Sequence, residues 1–119
     1  MQTEFKEKIF AFGIRAIKFL KTLPRDVVAR EIVSQLMRSG TSTGASYFEA
    51  QSASSKKDYQ NYFTYSLKSA NESKFWFNVL LESDLVPAQG TKECQWLLKE
   101  TSEVARIFAA STLILKKGR

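Results

Sequence analysis

Apolar residues return every three or four positions from Phe5 onward: Phe5, Ile9, Phe12, Ala16, Phe19, Leu20 and Leu23. At about 100° per residue this spacing lines them along one face of a helix. Pro24, a residue tolerated in the first turn of a helix, predicts the start of a second helix with Val28, Ile32 and Leu36 as its apolar stripe. Ser55 followed by Asp58 has the spacing of a capping box and predicts a third helix. Its core face carries Tyr59, Phe63, Leu67, Ala70, Phe77 and Leu81, and it ends near Asp84. The segment DLVPAQGT has the proline and glycine of a loop, and Thr91 is the expected cap of a fourth helix. Cys94, Leu97, Leu98, Ala105, Phe108, Thr112 and Leu115 form the core face of that helix. The expected fold is all-α: an antiparallel up-and-down four-helix bundle occupying residues 1–119 as a single domain.

One stretch resists this pattern, the run RSGTSTGASYFEAQSASSKKDY from Arg38 to Tyr59. Flexible linkers rarely carry adjacent aromatics such as Tyr47 and Phe48. Gly40 and Gly44 are too closely spaced for a Walker phosphate loop, and no Gly-Lys-Ser/Thr follows them. As a helix, the stretch places Gly40 and Gly44, then Ser42, Ser46 and Ala50, at four-residue spacing along neighbouring ridges. Each glycine costs a helix about 1 kcal/mol, a loss that close packing of this small-residue face against a neighbour offsets.

RSGTSTGASYFEA, SASSKKDY and LKSANESKFW resemble the signature of the bacterial 23S rRNA intervening-sequence proteins, and FGIRAIKFLKTLP fits the same pattern. The matching positions are Arg38, Ser39, Gly40, Ser42, Gly44, Ala45, Glu49, Ala50, Asp58, Glu72 and Trp76. Ser46, Tyr62 and Ser69 depart from it, standing where the family usually has Asn, Lys and Glu. The resemblance implies a four-helix bundle that assembles into a homopentameric ring, and it brings no enzymatic activity with it. The accessory variability protein of diversity-generating retroelements looks like a relative, with a basic surface suited to nucleic acid. On this pattern the small-residue stretch is the second half of helix two and the turn into helix three.

Both terminal helices carry a second apolar side. Phe10, Ile14 and Ile17 lie well round from the core face of helix one, and Trp96, Ile107 and Ile114 lie nearly opposite Cys94 and Phe108 on helix four. A bundle helix needs one buried stripe, so these six residues are the expected oligomer interface.

Composition narrows the chemistry. The chain has no histidine and one cysteine, Cys94, which removes the commonest general base and excludes zinc sites. No metal or other cofactor is expected. Asp58 and Glu72 share a face of helix three but are about 21 Å apart at 1.5 Å per residue, too far for joint acid-base work. A structural role is expected instead, with Asp58 at a helix start and Glu72 pairing with a cation such as Arg38. A lone cysteine and an N-terminus without a signal-peptide layout predict a cytoplasmic protein, and no apolar run is long enough to span a membrane.

The formal net charge of +6 is unevenly spread. Residues 1–23 hold five cations against two acids and residues 85–119 hold six against three, while the middle of the chain balances. Lys92, Lys99, Arg106 and Lys117 fall close to one line on helix four, and Lys8, Arg15 and Lys18 share a flank of helix one. Joined on neighbouring helices, these seven form the expected nucleic-acid-binding surface, for RNA or DNA, with little sequence preference. The expected function is that of a non-enzymatic, self-associating bundle that binds nucleic acid. The alternative is a structural or protein-interaction module whose charge serves solubility.

Overall fold

The computed structural model describes residues 2–118 and contains four long helices and, among those residues, no strand. α1 spans Gln2–Leu20, α2 Val27–Ala50, α3 Lys56–Glu82 and α4 Thr91–Lys117. No helix among the described residues is long and apolar enough to cross a membrane.

The helix ends show which capping signals won. α2 begins after Asp26, whose carboxylate accepts the Ala29 amide at 3.1 Å, so Pro24 lies in the preceding turn and not inside the helix. Asp26 prevails because it offers a side-chain acceptor to an orphan amide and proline offers none. The Ser55 hydroxyl accepts the Asp58 amide at 3.0 Å as expected at the start of α3. The reciprocal half of the capping box is replaced, since the Asp58 carboxylate accepts the Ser54 hydroxyl at 2.7 Å. Thr91 is not the cap of α4. A short 3₁₀ turn, Ala88–Gly90, runs directly into that helix, Gly90 takes the cap position, and the Thr91 amide is satisfied by the Ala88 carbonyl.

α2 runs unbroken through Gly40 and Gly44, so the Arg38–Tyr59 stretch is the second half of a helix, a turn and the start of the next helix. The buried face of α2 is rotated from the stripe expected for it. Ala29, Leu36, Ser39, Gly40, Thr43, Tyr47 and Ala50 point inward, whereas Val28 is 61% exposed. Small hydroxyl residues let α2 and α3 approach closely enough for the Ser73 hydroxyl to donate to the Ser39 hydroxyl at 2.9 Å. Thr43 and Thr101, also fully buried, donate to carbonyls one turn back in their own helices. These bonds satisfy polar groups that burial would otherwise penalise.

Two apolar clusters complete the core. One is built from Phe12, Phe19, Leu36, Phe77, Leu80 and Leu97, the other from Ile9, Tyr47, Phe63, Val104 and Phe108. Burying each such large side chain contributes about 1.5–3 kcal/mol. Contacts between helices fall in a regular order. Lys8 meets Glu100 and Glu103 while Arg15 meets Glu93, the Gln60 side chain donates to the Leu115 carbonyl, and the Cys94 thiol donates to the Phe77 carbonyl. α1 therefore lies beside α4 as well as α2.

Candidate nucleic-acid and assembly surfaces

α1 and α4 are neighbours, and two of the seven expected phosphate-binding cations, Lys8 and Arg15, are engaged in pairs between them. The Lys8 ammonium donates to Glu103 and lies 3.5 Å from Glu100. Arg15 donates to Glu93 through Nε at 2.6 Å and Nη2 at 2.9 Å, and its guanidinium carbon sits 3.5 Å from the centroid of the Trp96 ring. The titrations reflect these pairs. The hydrogen bond to Glu103 raises Lys8 above the ordinary lysine range, and the hydrogen bonds from Arg15 and Lys8 hold Glu93 and Glu103 below the ordinary carboxylate range.

Lys18, Lys92, Lys99, Arg106 and Lys117 are exposed, and none makes an ion pair among the described residues. Their line is broken by acids, since Glu103 feels both Lys99 and Arg106. The structure thus has five available cations interleaved with acids, in place of seven in a continuous field.

The six expected interface residues divide between three settings. Phe10, Ile14 and Ile17 line an open groove of about 300 Å³ between α1 and α2, floored by Gly13, Gly40 and Gly44. Phe10 is 63% exposed. Ile107 and Ile114 line a second open groove of about 330 Å³ at the end of the bundle where α4 finishes beside the start of α3, walled by Phe5, Tyr47, Tyr59 and Phe63. Ile114 is 67% exposed. Trp96 is covered on one face by Arg15.

The positions of the family motif are mainly structural. Ser39 bonds Ser73, Gly44 lies against Ile9, and Asp58 takes part in the α3 cap. Arg38 donates to Gln35 at 2.6 Å and not to Glu72, which is exposed and makes no ion pair among the described residues. Three residues back and one helix turn away, Gln35 is within easier reach than a carboxylate on α3. Ser42 is half-buried and Glu49 exposed. Trp76 packs against the first core cluster, and its indole N–H is buried without a hydrogen-bond partner. Gly40 does not make the close contact expected for it. A Cβ at Gly44 would come within 2.8 Å of Ile9 Cγ2, whereas one at Gly40 would meet nothing within 4 Å.

Cys94 is fully buried and burial pushes its thiol up to about 11, so it is protonated and inert at neutral pH. Among the described residues no group of three or more His, Cys, Asp or Glu side chains is placed to hold a metal ion. The sequence reading passed over Lys21, Arg25 and Arg30, which line one cleft at the α1–α2 turn. Their signal was the density of cations on either side of Pro24, diluted by counting charge over larger blocks.

The family model described as 23S rRNA-intervening sequence protein matches residues 1–110, and the chain belongs to that family. Among solved structures, it is similar to a protein with unknown function from the S23 ribosomal protein family of Bacteroides thetaiotaomicron VPI-5482. The identity is 27% and the TM-score 0.75, over 90% of this chain and 96% of that one. No curated protein matches the chain.

Proposed function

We propose that this chain is the subunit of a cytoplasmic, non-enzymatic homo-oligomer that binds the phosphates of RNA or DNA with little sequence preference. The observation that carries the reading is the set of exposed cations without an ion-pair partner among the described residues, Lys18, Lys92, Lys99, Arg106 and Lys117. The order of the interhelix contacts supports an antiparallel up-and-down bundle. The α4 partner falls from Glu103 to Glu93 as α1 advances from Lys8 to Arg15, and Gln60 meets Leu115 where Phe77 meets Cys94.

Self-association is supported by two separate exposed apolar grooves, one holding Phe10 and Ile14 and the other Ile107 and Ile114. Two different patches suit a head-to-tail contact, which closes into a ring when the rotation permits. A pentamer is the number implied by the family resemblance, and the likeness to the accessory variability protein points to the same class of partner. Repetition around a ring multiplies phosphate contacts that a single subunit supplies sparsely. Titration of labelled RNA and DNA at several salt concentrations, with molar mass measured in parallel, tests both parts.

A protein-interaction module is the second reading. It is favoured by the internal pairing of Lys8 and Arg15, which removes two cations from the surface while leaving both apolar grooves open. An oligomer with no polynucleotide affinity at low salt supports this reading against the first.

A further inference from the structure

The turn that joins α1 to α2 carries charge that the bundle does not use. Lys18, Lys21, Arg25 and Arg30 are accompanied between positions 18 and 30 by one acid, Asp26, giving net +3 where the whole chain has +6. Asp26 Oδ1 accepts the Ala29 amide, and Asp26 makes no ion pair with these cations among the described residues. Lys21, Arg25 and Arg30 line a single cleft of about 190 Å³. All three are exposed, and none makes an ion pair among the described residues. No acid lines the cleft, and Pro24, Val33 and Met37 give it an apolar wall.

We propose that this cleft is the principal contact for single-stranded polynucleotide, an inference that rests on the nucleic-acid reading above and relocates its centre. Three cations converge on one concavity here, whereas Lys92 to Lys117 spread along about 38 Å of α4 at 1.5 Å per residue and alternate with Glu93, Glu100 and Glu103. A cleft lined by one sign of charge focuses the field more strongly than a mixed surface. Two of the three cations are arginines, whose planar guanidinium groups bind phosphate oxygens in pairs and stack on bases. The apolar wall offers a face for an unstacked base, which a single strand can supply and a duplex cannot. The cleft is smaller than the roughly 300 Å³ at which pockets for drug-sized ligands begin, so a strand passing over it fits better than a bulky cofactor.

The test is fluorescence anisotropy with a labelled oligouridylate and a mixed-sequence duplex, comparing the wild type with R25E/R30E and K99E/R106E. The wild type should prefer the single strand. R25E/R30E should weaken single-strand binding by more than about tenfold and flatten the slope of log affinity against log salt by about 1.4, from two phosphates at about 0.7 each. K99E/R106E should lose less. R25K/R30K, which keeps the charge, should retain the salt slope while losing part of the affinity. Should the reversed double variant alter melting or mass, R25Q/R30Q, which removes charge without reversing it, takes its place with the same expected direction. Wild-type affinity in R25E/R30E together with loss in K99E/R106E overturns this inference and leaves the α4 surface standing. Absence of wild-type binding to RNA and DNA at low salt overturns both readings. Tighter binding to phosphatidylserine vesicles than to the strand, abolished by R25E/R30E, makes the cleft a membrane contact and also overturns the inference.

Discussion

Arg15 on α1 holds Glu93 on α4 with two hydrogen bonds, of 2.6 and 2.9 Å, while its guanidinium covers the Trp96 ring. A cation that sequence position assigns to phosphate is therefore employed in closing α1 onto α4. The Arg15 hydrogen bonds lower the pKa of Glu93 below its usual 4.5, so the contribution to stability is intact above that value and is lost as pH falls through the folded value. Glu93→Gln should melt below the wild type at neutral pH, and the difference should shrink in acid below about pH 4.5. Thermal melts across that range check the sign. Arg15→Ala should likewise lower the melting temperature with little change in polynucleotide affinity.

The two motif glycines should respond differently to substitution. Leucine at Gly44 must displace buried Ile9 and should cost about 1–3 kcal/mol. At Gly40 a Cβ meets nothing within 4 Å, so Gly40→Ala should leave the subunit as stable or raise it by up to about 1 kcal/mol through helix propensity. Denaturant unfolding of Gly44→Leu and Gly40→Ala measures both effects. If the α1–α2 groove is an assembly surface, Gly40→Leu should lower the oligomeric mass while the helices stay folded.

Assembly itself is read most cleanly at Ile14 and Ile114, because both are substantially exposed in the subunit and a charge there should leave the helices folded. Ile14→Asp and Ile114→Asp should each reduce the mass found by light scattering, since a charge at an apolar contact is strongly disfavoured. Circular dichroism should remain helical in both. Full mass in both variants excludes these two grooves as the contacts. Ile107 is less suitable, being half-buried against the second groove.

Helix number and the faces of α1, α3 and α4 were legible because large apolar residues set the helical period there. Phe12, Phe77, Leu97 and Phe108 all lie in the core where the pattern puts them. α2 is less legible, since its inward face includes Ser39, Gly40, Thr43 and Ala50, and hydropathy hides residues that are buried for being small. The starts of α2 and α4 shifted because Asp26 and the Ala88–Gly90 turn satisfy backbone groups better than Pro24 and Thr91 do. The candidate surface was only partly legible. Alignment along a helix is visible in residue spacing, but pairing across helices is not, so neither the Lys8–Glu103 pair nor the capture of Arg15 by Glu93 had a local signal.

The central claim is electrostatic binding of polynucleotide, and affinity for RNA and DNA strands measured against salt concentration tests it most directly. The account predicts measurable binding at low salt that weakens as salt rises, with each neutralised phosphate adding about 0.7 to 0.9 to the slope of the double-logarithmic plot. Homopolymer and mixed-sequence strands should behave alike, because phosphate contacts position without specifying. Affinity that does not change with salt, or no binding to either nucleic acid at low salt, contradicts it.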